Sequence, residues 1–382
     1  MPILPGKTIG ILGGGQLGRM FAIAARRMGY RVHALDPTND CPTGQVADVE
    51  INAAYDDVEA AEKFARGVDV VTFEFENVPA QTLTAIQRLR PVHPSPQVLD
   101  TCRHRLHEKD FLSRRAFPVT QYRAVNGVEQ LASAVHELGS KSILKGADFG
   151  YDGKGQVRIE HAENLEKAWR TMGRPVGVLE ALVPFDKEIS VICARTINGQ
   201  TSCFEPGENV HVRGILDITS VPADISPRLR LAAIELATAI TESLDVVGLL
   251  AVEMFVVREN LLINELAPRP HNSGHFSFDA CATSQFEQQL RAVCGLPLGD
   301  ATLFSPAAMA NLLGDLWRDG EPDWSRALRA DPRIKLHLYG KHTALPGRKM
   351  GHLTAIAPWA AEARRIAMQA RSALLDERRV HP

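Results

Sequence analysis

Short apolar runs and stretches with three- and four-residue apolar spacing alternate along this chain, and they predict its strands and helices in order. Lys7-Thr8-Ile9-Gly10-Ile11-Leu12 reads as a strand, Gly13-Gly14-Gly15-Gln16-Leu17-Gly18 as a glycine turn, the next residues to Met28 as a helix, and Arg31 to Asp36 as a second strand. Short strands at Asp48 to Asn52, Val68 to Glu74 and Pro91 to His93 follow, with helices from Asp56 and from Pro79. Val70 to Val78 is an apolar strand ending in the carboxylates Glu74 and Glu76. In a parallel sheet that edge is where ligands sit.

The pattern then changes. A boundary is expected near Pro94-Ser95-Pro96, before a basic helix from Arg103 to Arg115. Residues 119 to 145 predict a strand, a helix from Gly127, and a strand ending in Ser142-Ile143-Leu144-Lys145. Residues 146 to 156 hold four glycines in eleven positions, a backbone that can approach phosphate oxygens and move as a lid. Val176 to Pro184 reads as a strand entering a hinge whose backbone groups could hold an adenine, and Lys187 to Ile192 as the next strand. An amphipathic helix from Pro227 to Leu244 and a capping box at Ser284, opening a helix to Val293, surround the most informative stretch. Residues 307 to 353 form a small terminal module with basic groups at strand ends and a turn.

That stretch is Gly248 to His275. Leu249 to Val257 and Leu261 to Leu266 flank Arg258-Glu259-Asn260, which predicts an antiparallel hairpin. Each run carries one carboxylate among apolar residues, Glu253 and Glu265. Facing each other they would repel, and a divalent cation such as Mg²⁺ between them would suit two carboxylates plus substrate phosphates. An isolated Glu on a half-exposed sheet would simply face solvent. Here the second strand stops at two prolines, and Arg269, His271, Asn272 and His275 follow at once, a concentration of anion-binding and proton-transfer groups.

Composition narrows the classes. The chain's 382 residues suggest two or three domains, and 23% charged with 45% apolar residues is ordinary for a soluble globular protein. A net charge of −2 offers no general field for nucleic acid, so anionic ligands must be met locally. Six scattered cysteines without a metal spacing read as reduced thiols, and the start Met-Pro-Ile-Leu-Pro-Gly-Lys lacks a signal peptide's apolar core, so a cytoplasmic protein is expected. No apolar run is long enough for a membrane span. The G-x-G-x-x-G motif with Asp36 placed 18 residues beyond Gly18 matches a dinucleotide fold, but alone it reports only a tight turn at a helix N-terminus.

Glu253-Met254-Phe255 together with Asn264-Glu265-Leu266-Ala267-Pro268-Arg269-Pro270-His271-Asn272-Ser273-Gly274-His275 resembles the magnesium-binding core of the ATP-grasp superfamily. The fuller string, with Gly150-Tyr151-Asp152-Gly153-Lys154-Gly155-Gln156, resembles the N5-carboxyaminoimidazole ribonucleotide synthetases of purine biosynthesis, nearly end to end from Gly13 to His352. The chain departs from that family at Ala147, Asp148 and Phe149, where basic residues and a glycine are usual. The resemblance implies an α/β (α+β) protein of ATP-grasp fold, with a Rossmann-like pre-ATP-grasp domain at residues 1–100, a lid domain at 101–185, and a further domain at 186–382 that includes the small C-terminal module.

It also implies roles. Glu253 and Glu265 would hold Mg²⁺, with Mn²⁺ an alternative. ATP would meet Arg103, Lys145, the lid from Gly150 to Gln156, the hinge Glu180-Ala181-Leu182-Val183, Glu188, His211 and Asn264. Arg269, His271 and Asn272 would hold bicarbonate or carboxyphosphate, and Asp152 would orient the substrate amine and take its proton. Gln16, Leu17, Glu74, Asn77, Tyr151, Lys341 and Arg348 would bind 5-aminoimidazole ribonucleotide. Small-molecule substrates and a homodimer are implied; nucleic acid and membrane are not. Three rivals are weighed: a formate-dependent glycinamide ribonucleotide transformylase of the same superfamily, a nicotinamide oxidoreductase that leaves the carboxylate pair unexplained, and a non-catalytic nucleotide-binding module.

Overall fold

The structure is a computed structural model that describes residues 1–148, 155–160 and 164–375. The expected lid residues Gly150, Tyr151, Asp152, Gly153 and Lys154 therefore lie outside the described residues. Among the described residues the strands form three sheets. The first contains β1 (Thr8–Leu12), β2 (Arg31–Asp36), β3 (Val49–Asn52) and β4 (Val70–Phe73), all parallel in the order β3-β2-β1-β4. Helices α1 (Gln16–Arg27), α2 (Val58–Arg66) and α3 (Ala80–Gln87) connect these strands or follow them. β1 and β4 are buried almost throughout, as their continuous apolar runs require in a sheet covered on both faces. The expected strand at Pro91 to His93 is a single bridge from Val92 to Val71. The prolines on either side lack the N–H groups a longer ladder needs.

The helix expected from Arg103 to Arg115 begins two residues later, and a separate helix precedes it: α4 (Pro96–Arg103) and α5 (Arg105–Arg114). His104 between them is extended, at φ −114° and ψ 110°, because the N–H of Arg105 donates to Ala147 O instead of continuing the helix. Next come β5 (Tyr122–Val125), α6 (Val128–Leu138), β6 (Ser142–Gly146), β7 (Gln156–Ile159), α7 (Leu165–Met172) and β8 (Gly177–Ala181). Their strands form an antiparallel sheet in the order β5-β8-β6-β7.

The third sheet has nine strands: β9 (Lys187–Arg195), β10 (Thr201–Cys203), β11 (Gly207–Val212), β12 (Ile215–Val221), β13 (Gly248–Val257), β14 (Asn260–Ala267), β15 (Ala307–Leu313), β16 (Ile334–Leu338) and β17 (Lys349–Ile356). The order is β14-β13-β9-β11-β12-β15-β17-β16, with β10 on β9, so the terminal module continues the same antiparallel sheet. Helix α8 (Pro227–Ser243) covers one core of apolar side chains from β9, β13 and β14. Helices α9 (Ser277–Ala280) and α10 (Gln285–Val293) follow the hairpin, and α11 (Trp324–Ala330) and α12 (Ala360–Ala373) pack on the terminal strands. Among the described residues no helix is long and apolar enough to cross a membrane.

Candidate active site

The hairpin places its carboxylates as its alternation requires. Glu253 on β13 is paired directly with Glu265 on β14, and the ladder shifts register between Glu253 and Met254. Burial, and then repulsion from Glu265, push the Glu253 carboxyl up to about 7. The arrangement fits a cation: two carboxylates paired across the strands, one of them resisting ionisation, match a divalent ion that would offset both charges. Around the pair stand Arg105, 3.4 Å from Glu265, and His271, whose Nε2 is 3.4 Å from Glu253. Glu188 and His211 complete this side, their side chains 2.7 Å apart.

His271 is held in one tautomer. The backbone N–H of Ser273 donates to His271 Nδ1 at 3.3 Å, so that nitrogen is an acceptor and Nε2 carries the proton. The Ser273 hydroxyl adds a second donor at 2.9 Å, and itself accepts from the Ser190 hydroxyl at 2.7 Å. Behind Ser190 the chain runs to Asn209 and Thr219, each a buried hydrogen bond. Burial, with Arg269 and Lys349 nearby, keeps the ring well below the usual histidine range. His271 thus presents a neutral N–H, a donor able to stabilise a developing anion.

Arg269 turns toward the N-terminal sheet, where its Nε lies 2.6 Å from Glu76. Glu74 sits beside it. Its carboxylate accepts from the N–H groups of Gly15, Leu17 and Gly18 at the start of α1, and Arg269 and Lys341 both act on it through space. Gly13, at φ +115°, makes this approach possible, because a side chain there would strike Glu74. The same contact argues against a dinucleotide: the chain's own carboxylate fills the place of a pyrophosphate, and Asp36 is engaged by Gly14 N–H and the Tyr55 hydroxyl. Gln16, Leu17 and Asn77 lie near this edge, Leu17 with its side chain buried.

Other expected residues are more dispersed. Arg103 donates to Val78 O and Asp100 Oδ1, away from the carboxylate pair; Arg105 stands there in its place. Asn272 is buried and exchanges two amide hydrogen bonds with Asn311 of β15, tying the turn to the terminal module. Lys341 donates to Lys349 O, and Arg348 is exposed, its guanidinium donating to Thr343 O. The loop before them docks on the first sheet's connections, where Gln45 donates to Gly340 O and His342 meets Asp40. The hinge residues Ala181, Leu182 and Val183 are partly exposed, and Gln156 pairs with Lys145 in the ladder. Gly155 has φ +70° and its carbonyl accepts from Gly146. Asn264 offers its carbonyl to Lys109 at 3.1 Å.

Comparison with known proteins decides the family. Models of an ATP-grasp domain, a ribonucleotide synthetase preATP-grasp domain and a phosphoribosylaminoimidazole carboxylase C-terminal domain match residues 110–286, 6–103 and 307–366. The N5-carboxyaminoimidazole ribonucleotide synthase of Bacillus subtilis is 44% identical over 353 residues, 92% of each chain. The chain belongs to the N5-carboxyaminoimidazole ribonucleotide synthase family. The Brucella melitensis synthase is likewise 44% identical, over 93% of this chain and 97% of its own. A synthetase of this name solved as its ADP complex superimposes with a TM-score of 0.93 at 44% identity over 98% of each chain. The Aspergillus clavatus synthase with ADP and 5-aminoimidazole ribonucleotide gives 0.88 at 30% identity, over 96% of this chain and 98% of that one.

In this member of the synthase family, an ATP-grasp ligase, several site residues escape sequence reasoning. Lys349, Ser190 and Ser273 stand in strands and turns whose chemistry is visible only once the sheets are assembled. Arg105, Glu108 and Lys109 had a signal, since three ionisable residues at i, i+3 and i+4 share one helix face. Glu180 is buried, and burial alone would raise its carboxyl; Lys145 and then Lys109 hold it down at about 2 instead of the ordinary 4.5. Because the folded value is the lower one, this stabilisation is present above about pH 4.5 and is lost as pH falls toward 2. It is about 3 kcal/mol. The stability difference between the native chain and Glu180→Gln, measured by urea midpoints, should therefore shrink steadily over that window. A constant difference would remove the ion pairs as its cause.

Proposed function

We propose that the chain catalyses the ATP-dependent carboxylation of 5-aminoimidazole ribonucleotide by bicarbonate, giving N5-carboxyaminoimidazole ribonucleotide, ADP and phosphate. The observation that carries this reading is the meeting of the Glu253–Glu265 pair on the hairpin with Arg269 and His271 in the turn after it, and with Glu74 and Lys341 from the N-terminal sheet and terminal module. In this reading a nucleotide phosphate end, an anion site and a ribonucleotide site would lie side by side.

Bicarbonate is a weak electrophile toward an amine. Attack of its oxygen on the γ-phosphorus of ATP releases ADP and forms carboxyphosphate; the amine then attacks the carboxyl carbon, phosphate leaves, and the amine proton passes to a base. Mg²⁺ held by Glu253 and Glu265 would neutralise the β and γ oxygens. Lys145 faces the nucleotide phosphates in this reading, Arg269 and the Nε2–H of His271 bind the carboxyphosphate, and the hinge backbone at Glu180 to Val183 receives the adenine. Asp152 is proposed as the base. The domain division at about residues 100 and 185, a homodimer and a cytoplasmic location complete the proposal.

The rival transformylase would share the carboxylate pair and the lid. A test separates them: ADP release with 5-aminoimidazole ribonucleotide, with and without bicarbonate, against formate plus glycinamide ribonucleotide. Bicarbonate-dependent release with the first substrate is expected; formate-dependent release with the second would overturn the assignment. For the ribonucleotide phosphate, Lys341 and Arg348 are the proposed pair. Arg348→Ala should raise KM for the ribonucleotide roughly 10-fold while KM for ATP hardly moves, since a charge-assisted hydrogen bond contributes ~1.5–3 kcal/mol. Equal losses for both substrates would place Arg348 at the nucleotide.

A further inference from the structure

Lys109 is 1% exposed, and a buried ammonium is costly unless its donors are used. Its Nζ donates to Asn264 O at 3.1 Å, on β14 of the nine-stranded sheet, and stands 3.5 Å from Glu180 Oε2, on β8 of the second sheet. The same Glu180 oxygen accepts from Lys145 at 3.0 Å. One turn of α5 thus grips three consecutive residues around a carboxylate of the site. Lys109 holds Asn264, Arg105 reaches Glu265, and Glu108 accepts from Leu266 N–H at 2.7 Å. The helix is also tied to the end of β6, because Arg105 N–H donates to Ala147 O at 2.8 Å.

We propose that Lys109 is a positioning residue: bonded to Asn264 and facing Glu180, it fixes the spacing between Lys145 on one sheet and Glu265 on the other. This rests on the reading of Lys145 as a phosphate-binding group and Glu265 as a cation-binding one. The two ends must be held in register for phosphoryl transfer, where a displacement of about 1 Å can cost about 10²-fold. Without Lys109, Asn264 O loses its donor and Glu180 keeps Lys145 as its nearer cation, so both ends relax. Glu180 and Asn264 would then no longer share a cation, leaving the helix's ties through Arg105 and Glu108 to link the two sheets.

The coupling can be read without turnover. The ratio of ADP affinities with and without Mg²⁺ measures how strongly the hinge and lysine side communicates with the carboxylate side. In Lys109→Met, of similar length and uncharged, this ratio should fall at least fivefold while ADP affinity without Mg²⁺ changes less than threefold, and kcat should fall by more than tenfold. Lys109→Arg should recover part of the ratio, because a guanidinium can serve both acceptors. A Lys109→Met protein with an unchanged ratio and kcat within threefold would overturn the proposal. Should that variant fail to fold, Glu180→Gln supplies the second reading: it removes the charge that Lys109 faces on β8, and an unchanged Mg²⁺ ratio there overturns the proposal equally. Lys145→Met separates the premise, since undiminished ADP affinity in that variant would refute the phosphate role of Lys145 itself.

Discussion

Glu265→Gln should lower turnover by at least ~10²-fold, equivalent to ~3 kcal/mol of transition-state stabilisation, with the fold intact. The substitution keeps volume and shape while removing one of two facing charges. Glu253, pushed up to about 7 by burial and by Glu265, loses its repelling neighbour, so the folded state should not suffer. The buried Arg105 would face a neutral amide, a cost offset by the carboxylates of Glu108 and Glu180 that also act on it. Thermal midpoint and ADP release measured together decide the matter. A variant with normal bicarbonate-dependent turnover at saturating Mg²⁺ would falsify the cation assignment.

The second large effect is expected at Arg269→Met, where activity and stability should both fall and then separate. The guanidinium lies 2.6 Å from Glu76 and acts on Glu74. Its loss leaves two partly buried carboxylates without their nearest cation, a cost of about 2–3 kcal/mol. Turnover should drop ~10²-fold and KM for bicarbonate should rise, because the anion loses its charge partner. Adding Glu76→Gln should restore the stability and leave turnover low. Recovery of turnover in the double variant would mean that Arg269 serves only to neutralise Glu76.

The hairpin was legible because its apolar residues, its turn and its prolines are local, and the pairing of Glu253 with Glu265 follows from strand alternation. Helix α8 and the Ser284 cap were read for the same reason, the Ser284 side chain accepting from Glu287 N–H as a capping box begins. What could not be read depends on distant partners. The break at His104 comes from Ala147, with no glycine or proline to announce it, and it is this break that brings Arg105, not Arg103, to the carboxylates. The glycine motif announced a helix N-terminus but not that Glu74, 59 residues from Gly15, would occupy it. Likewise the tautomer of His271 is supported by Ser190, 83 residues before Ser273.

The continuity of the nine-stranded sheet limits how this chain can be rearranged by evolution or by design. β12 pairs with β15 at Ile218↔Ala310 through Val221↔Ala307, and the apolar side chains of both strands share one core with α12. A cut before β15 would therefore not release a separate cassette. It would leave β12 as an open edge with unpaired N–H and C=O groups beside exposed apolar side chains, the kind of surface that recruits foreign strands. Exchanging terminal modules between relatives, or fusing a new one, would succeed only if the incoming strand met β12 in the same register.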